Sequence, residues 1–373
     1  MRVRADWPLD KEKCKIAFVG EAPGREEEEK GRPFIGRAGW LFNQMLSGVG
    51  INRKDCLVTN VFQDRPGYDN NVGRFFVKKL EARKLTVTSD SGEQVQFKSE
   101  FPFNTNGFLR PERESEVIRL WDELEKVNPN IVVALGATAL WALTGHNKIG
   151  DYRGSVVRAS DNLLPSKYVK GRQFKVIPTY HPAAVLRNWQ YKPIVMADLQ
   201  KAIREAQTKD KEYPDRQVWI YPTIDDMFLF QEKYIDNAKE LSYDIETGFG
   251  MITCVGFAPN PFVSISIPFF DISAPDYNYW KTLKEEVQAR RIIQHWLSDT
   301  KTTKIAQNGT YDIMWLDRDL TKVRGPIEDT MIMHHALQPE LPKGLGFLGS
   351  LYADEQAWKM LGKRKAKSEK QDE

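Results

Sequence analysis

The sequence predicts an α/β protein of two domains, the first built on a mostly parallel sheet and the second on strands followed by helices. Three observations support this prediction. A chain of 373 residues with 41% hydrophobic residues is long enough to bury two cores. Over the first two hundred residues or so, short apolar runs alternate with helical patterns. A polar stretch at 206–217 then carries a proline and no apolar periodicity, and strand-like runs restart after it.

Four β-rich runs define the strands of the first domain. They are KIAFVG (15–20), CLVTNVF (56–62), IVVALG (131–136) and FKVIPTYHP (174–182). Two helical patterns lie between them, with one apolar face formed by Leu41, Phe42, Met45 and Leu46 and another by Val117, Leu120, Trp121 and Leu124. This alternation is typical of a parallel sheet flanked by helices. Residues 76–110 interrupt it with polar sequence that predicts an inserted hairpin and loop.

The second half begins with the runs VWIYPT, ELSYDIET, TCVGFA and FVSISIPFF, which predict consecutive strands with tight turns. The amphipathic run KEEVQARRIIQHWL, the short strand KIAQN and the helices TYDIMWLDRD and DTMIMHHAL follow. This order is typical of an α+β or ribonuclease-H-like arrangement. We therefore expect domains at 1–208 and 218–360, a linker at 209–217 and a charged tail at 361–373.

Composition limits the kinds of function that the chain can have. A net charge of +3 does not indicate a polyanion partner for the whole chain, so any DNA-binding surface must be local. The sequence shows no membrane span and no signal peptide, and we expect a cytoplasmic protein. The three cysteines, Cys14, Cys56 and Cys254, form no C-x-x-C pair, which argues against a disulfide framework or a four-thiolate metal site.

Polar residues follow three of the predicted strands of the first domain. Glu21 lies in the turn GEAPG after the first strand, Asn60 ends the second, and His181 ends the fourth. Because the carboxyl ends of parallel strands line one crevice, these side chains can converge on one cleft. Taken alone, each residue is more often structural, since such turns and strand ends commonly cap helices.

Six sequence blocks occur in an order and spacing that resemble the family 4 type of the uracil-DNA glycosylase superfamily, over about residues 13–205. They are GEAPG, GRPFIGRAGWL, TNV, VVALGATALWAL, RG and PTYHPAAVLR. The resemblance implies excision of uracil that has been flipped out of DNA. It implies that Phe34 stacks on the base, that Asn60 reads its edge and that His181 stabilises the leaving anion. It further implies that Glu21 and Glu27 act on the attacking water and that Arg37 and Arg187 contact DNA phosphates.

The chain departs from this family in its cysteines. The family carries four cysteines that hold an iron–sulfur cluster, whereas here Cys14 stands alone and the segment after TNV reads FQDRPGYDNN. We therefore expect no iron–sulfur cluster. An insertion after Arg74 could replace the cluster as a scaffold or as a contact to a partner.

A second group of candidate residues is acidic. Asp244 and Glu246 lie two residues apart in YDIET, so both project from one strand face, and carboxylates of this kind can hold Mg²⁺ or Mn²⁺. A D-x-E pair alone often arises by chance. With Asp312 in QNGTYDIMWL, the pattern over about 216–358 resembles the first two exonuclease motifs of family A DNA polymerases, which implies that these three residues bind metal. The third motif, a Tyr followed by an Asp, is missing, and Asp329 is expected to cap a helix.

Three functions remain open at this point. In the first, the N-terminal domain excises uracil in a phage-type replication and repair protein that carries an incomplete 3′–5′ exonuclease module. In the second, it is a catalytically silent DNA-binding module of a split phage polymerase, and a partner chain completes the exonuclease. In the third, the exonuclease is the active part. The expected partners are single-stranded or uracil-containing DNA and the remaining polymerase chain.

Overall fold

The computed structural model describes residues 2–88, 92–97, 102–104, 107–158, 169 and 173–353. The chain forms two compact units, Met1–Lys211 with Gly346–Glu373, and Glu212–Leu345. The domain limits and the linker inferred from the sequence remain predictions, and the charged tail lies outside the described residues. Among the helices of the described ranges, none combines the length and the apolar character needed to cross a membrane.

The first unit is built on one central sheet. Its strands are β1 (Ile16–Gly20), β2 (Leu57–Asn60), β3 (Phe76–Lys78), β4 (Thr86–Thr88), β5 (Gln94–Gln96), β6 (Pro102–Asn104), β7 (Gly107–Leu109), β8 (Ile131–Leu135), β9 (Val157–Arg158) and β10 (Lys175–Thr179). Its helices are α1 (Arg25–Lys30), α2 (Arg37–Gly48), α3 (Lys79–Ala82), α4 (Glu114–Val127), α5 (Ala137–Thr144), α6 (Ile149–Tyr152), α7 (Pro182–Arg187) and α8 (Tyr191–Glu205).

The central sheet has the strand order β2, β1, β8, β10, β9, and all its pairs are parallel except β10 with β9. Side chains alternate across it, so that Val19 faces one hydrophobic cluster and Phe18 the other. The two predicted helix faces are buried as expected. The sheet and its flanking helices confirm the predicted α/β/α class for this unit.

The segment that interrupts the first unit contains small antiparallel sheets. Strands β4 and β5 pair as a hairpin, as predicted, with Val87 opposite Val95. Strands β3, β7 and β6 form a separate three-stranded sheet. The insertion therefore adds its own strands and does not extend the central sheet.

The second unit contains six strands and their helices. The strands are β11 (Gln217–Ile220), β12 (Glu240–Gly248), β13 (Met251–Asn260), β14 (Val263–Pro268), β15 (Thr303–Ala306) and β16 (Ile327–Asp329). The helices are α9 (Ile224–Phe230), α10 (Leu283–Ser298), α11 (Gly309–Arg318) and α12 (Thr330–Leu337), and a last helix, α13 (Leu345–Tyr352), begins where this unit ends.

The strand order of the second sheet is β11, β14, β13, β12, β15, β16. Strands β12 to β14 pair antiparallel, while β15 and β16 are added in parallel, which confirms the ribonuclease-H-like class. The expected tight turn between VWIYPT and ELSYDIET is wrong. Thr223 caps α9 in a capping box, so a helix separates these strands and β11 pairs in parallel with β14.

Candidate functional site

The carboxyl ends of β1, β2 and β10 border a cavity of about 790 Å³ in the first unit. Because these strands are parallel, the residues that follow them reach the same edge of the sheet. The cavity lining includes all seven residues that the sequence analysis singled out in the first domain: Glu21, Glu27, Phe34, Arg37, Asn60, His181 and Arg187. The structure thus brings the predicted residues together, while their chemical roles remain predictions.

Phe34 is fixed tightly at one wall of the cavity. Its backbone has a left-handed φ of 53°, which is costly for a bulky residue. A Cβ at Gly39 would stand 2.0 Å from the Phe34 carbonyl carbon, and one at Gly20 would stand 2.4 Å from the Phe34 ring. Only glycine at both positions allows this placement. The ring packs on Phe42 with centroids 4.9 Å apart, and Phe34 is only 3% exposed.

The loop that carries Phe34 is held by charged side chains. Arg53 donates hydrogen bonds to the carbonyls of Phe34 (3.0 Å) and Pro33 (2.7 Å), and it also pairs with Asp6 at 2.7 Å. On the other side, the Glu27 carboxylate accepts the Gly24 N–H at 2.8 Å and closes the N-terminus of α1. Burial raises the Glu27 pKa, while the backbone N–H groups of Gly24, Phe34 and Ile35 lower it. The Glu27 carboxylate therefore lies beside the backbone of the Phe34 loop.

Glu21 lies directly after β1, half-buried in the cavity wall. Its carboxylate accepts a hydrogen bond of 2.5 Å from the hydroxyl of Thr138 in α5. Burial raises the pKa of Glu21, while the Thr138 hydrogen bond and the nearby Arg187 charge lower it. A carboxylate with these surroundings is suited to accept a proton from water.

Asn60 ends β2 next to Gly20, and the register pairs these two residues. The Asn60 side chain is 4% exposed and lines the cavity. Arg119 supports the backbone here by donating to the carbonyls of Asn60 and Val61, each at 2.8 Å. The side-chain amide of Asn60 can both donate and accept hydrogen bonds with a ligand in the cavity.

His181 lies two residues after the last parallel strand, β10, and is the N-cap of α7. Its Nδ1 accepts the Ala183 N–H at 3.1 Å, so the neutral ring carries its proton on Nε2. Burial, helped by the charge of Arg187, lowers the His181 pKa to about 4. The ring centroid lies 5.7 Å from that of Phe34. His181 is therefore a neutral hydrogen-bond donor at neutral pH.

The cavity mouth carries exposed cations. Arg37 begins α2 and Arg187 ends α7, and both are exposed. Beside Arg187, Leu186 leaves 41% of its surface exposed, and Trp189 leaves 58%. This rim combines positive charge with apolar surface.

The cysteines of the first unit do not fit a four-thiolate cluster. Cys14 and Cys56 are both buried, and burial raises the pKa of each, to about 12 for Cys56. Metal ligation requires thiolates, which such surroundings disfavour. Cys254 belongs to the second unit.

The acidic residues of the second unit lie near one another but do not form a ready metal site. Asp244 and Glu246 are exposed on β12, whereas Asp312 is buried and accepts the Ile245 N–H at 3.0 Å. Burial, with the neighbouring Asp244 charge, raises the Asp312 pKa to about 6. Asp329 caps α12, as predicted. Within the described ranges, no three His, Cys, Asp or Glu side chains are arranged to hold a metal ion.

Sequence comparison defines the class of the first unit. The chain belongs to the uracil DNA glycosylase superfamily, which matches residues 8–206. This membership supports a uracil-DNA-glycosylase-like hydrolase.

Three relatives are type-4 uracil-DNA glycosylases. The one from Thermotoga maritima is 33% identical over 190 residues, covering 50% of this chain and 76% of the relative. The one from Archaeoglobus fulgidus is 30% identical over 190 residues, covering 51% and 76%. The one from Sulfurisphaera tokodaii is 31% identical over 202 residues, covering 54% and 74%.

Solved structures with a partial likeness are nucleases. Brucella melitensis NrnC matches with a TM-score of 0.27 and 17% identity, over 38% of this chain and 62% of NrnC. Trypanosoma brucei RNase D in complex with RNA U12 matches with a TM-score of 0.30 and 17% identity, over 38% and 48%. The chain thus spans less than two thirds of either protein. Because these TM-scores are low, the fold of the second unit rests on its own strand order.

Several residues that shape the site were not found from the sequence. Thr138 lies in the apolar run GATALWALT and reads as a core residue, and Arg53 lies in a charged loop. Gly20 and Gly39 belong to the quoted blocks, but the sequence does not show which side chain needs their missing Cβ. Only the three-dimensional contacts identify these four residues.

Proposed function

We propose that the first unit removes uracil from DNA by flipping the base into the cavity and hydrolysing its N-glycosidic bond. The observation that carries the proposal is the convergence of Asn60, Phe34, His181 and Glu21 on one cavity, with the Asn60 side chain only 4% exposed. An amide that both donates and accepts matches the edge of uracil, which presents a carbonyl beside an N–H. Phe34 offers an aromatic surface for the base.

The protonation states of His181 and Glu21 determine how the N-glycosidic bond is broken in this proposal. The bond between C1′ of deoxyribose and N1 of uracil breaks, and the electron pair leaves with the base. Neutral His181 donates its Nε2–H to a uracil oxygen, where the negative charge accumulates. The ionised Glu21 carboxylate first stabilises the cationic sugar, and it then accepts a proton from the water whose oxygen adds to C1′. That proton is finally released from Glu21 through solvent, and the uracil anion takes up a proton as neutral uracil.

DNA reaches the cavity past its basic rim. We propose that Arg37 and Arg187 contact phosphates on either side of the flipped nucleotide. Glu27 acts in this proposal through the Phe34 loop and is a positioning residue.

An excision assay tests this function. Purified protein is incubated with a single-stranded oligonucleotide that carries one uracil, and abasic product is detected by alkaline cleavage. We expect product from the wild type and a loss of about a hundredfold in Asn60→Ala, as when a key polar contact of a reaction site is removed. Asn237→Ala, on an exposed residue of the second unit, is the matched control. Binding without abasic product would support the silent DNA-binding module instead.

For the second unit we propose the front part of a family A polymerase-type exonuclease, completed by a partner chain. The position of Asp244 and Glu246 on the central strand β12, with Asp312 on the helix after β15, supports this proposal. A 3′-labelled strand with Mg²⁺ or Mn²⁺ tests it. The chain alone should release no nucleotide, and any cleavage that survives Asp244→Ala would rule out the assigned ligands.

A further inference from the structure

The last helix of the described chain packs into the first unit through charged groups. The guanidinium of Arg153 lies over the Phe347 ring, 5.0 Å from its centroid. The Nζ of Lys201 donates hydrogen bonds to the carbonyls of Ser350 (2.9 Å) and Ala353 (2.8 Å) in and just after α13. It also donates to the Gly154 carbonyl at 2.9 Å. The socket, defined here as Arg153, Asp198 and Lys201, thus contacts α13 along the helix and at its end.

The position of the Lys201 charge suits the end of a helix. The last carbonyls of a helix have no partner within it and carry partial negative charge. An ammonium group has three N–H donors, and the Lys201 ammonium donates to the carbonyls of Gly154, Ser350 and Ala353. Lys201 is 2% exposed, so its buried charge depends on polar partners in the interior, and these carbonyls are among them.

The same socket is connected to the strand that ends at the cavity. Asp198 accepts hydrogen bonds from Arg153 and from the Thr179 hydroxyl, both at 2.7 Å. Thr179 ends β10, two residues before His181. Arg153 and Asp198 are each exposed by 2% or less, so this is a built interior site.

We propose that α13 is an anchor of the glycosylase unit, held in the socket by Lys201 and Arg153, and that it braces the β10 strand that positions His181. The chain therefore returns to the first unit after completing the second. This assignment differs from the sequence analysis, which placed residues up to 360 in the second domain. It goes beyond uracil excision and does not depend on it.

Hydrogen exchange of the full chain tests the anchor. The variants are Lys201→Met, which keeps the length of the side chain without its charge, and Phe347→Ala, which removes the ring under Arg153. Arg204→Met, an exposed cation on the same helix as Lys201, is the control. Phe347 lies outside the hydrophobic clusters of the first unit, so its variant should fold even where Lys201→Met does not.

In the wild type we expect amides of 346–353 to be protected. Both variants should speed their exchange by about tenfold or more, because charge-assisted hydrogen bonds or ring contacts are lost. Exchange in β12 and in the control should not change. Unprotected amides at 346–353 in the wild type, or unchanged protection in either folded variant, would overturn the proposal.

Discussion

The hydroxyl of Thr138 donates a 2.5 Å hydrogen bond to the carboxylate of Glu21 and thereby fixes the one acidic group at the end of β1. Thr138 is 1% exposed, so water cannot readily replace it. The bond favours the ionised form of Glu21, against the burial that raises its pKa. Two opposing influences therefore set the protonation of the proposed base.

Thr138→Val should lower excision by about tenfold, because it keeps the shape of the side chain and removes one hydrogen bond to a charged group. Without that bond the Glu21 pKa rises further, so the acidic limb of the pH–rate profile should move to higher pH. Thr138→Ser should restore both the excision rate and the pH of the acidic limb. An acidic limb that stays at the wild-type pH in Thr138→Val would show that the Thr138 hydroxyl does not control the protonation of Glu21.

His181 should make the protein less stable in mild acid. Its pKa is about 4 in the folded state against an ordinary 6.5, so only the unfolded state takes up a proton between these values. The contribution of neutral His181 to the free energy of unfolding is thus fully present above pH 6.5 and is lost as the pH falls toward 4. Urea unfolding at pH 7 and pH 5 should show a smaller loss in His181→Gln than in the wild type. His335→Gln, on an exposed residue, should behave like the wild type.

Gly20→Ala should close the cavity without unfolding the chain. The added Cβ would lie 2.3 Å from Asn60 Oδ1 and 2.4 Å from the Phe34 ring, so both side chains must move. We expect a stability loss of about 1–3 kcal/mol by thermal unfolding, typical of overpacking. Excision should fall by more than about a hundredfold because the base site is displaced. Gly150→Ala, with open space around it, is the control, and near-normal excision in Gly20→Ala would refute this geometry.

Arg53→Lys should weaken substrate binding. A lysine cannot reproduce the fork that bonds the Phe34 and Pro33 carbonyls, so the strained Phe34 backbone should relax. The KM for uracil-containing DNA should rise by about tenfold, with a smaller change in kcat. Arg32→Lys is the control, because Arg32 pairs with Asp6 and not with Phe34. Equal KM values in the two variants would show that Arg53 does not hold the loop.

The parallel sheet and the cavity could be predicted because their signals are local. Apolar runs of strand length followed by polar turns place Glu21, Asn60 and His181 at or near strand ends. Because the strands are parallel, their carboxyl ends lie at one edge of the sheet, and these residues meet there. The contacts that hold them are long-range. Arg53 contacts Phe34, which lies nineteen positions away in the sequence. Thr138 of α5 contacts Glu21, which follows β1 and lies far from Thr138 in the sequence. No periodicity in the sequence carries that information.

The last helix and the second sheet show a different limit. Helix α13 contains Gly346 and Gly349, and glycine disfavours a helix, so local propensity alone does not predict one here. Tertiary contacts with Arg153 and Lys201 stabilise it instead. Similarly, β11 pairs with β14 in parallel, a choice that sequence patterns at either strand do not encode.

The most direct test of the account is the release of free uracil in a single turnover. Protein in excess is mixed with a single-stranded oligonucleotide carrying one uracil, and the released base is quantified by chromatography beside a uracil-free strand. We expect one uracil per substrate strand from the wild type, a rate lower by about a hundredfold in Asn60→Ala, and no base from the control strand. DNA binding without any released uracil, or release at an unchanged rate in Asn60→Ala, would contradict it.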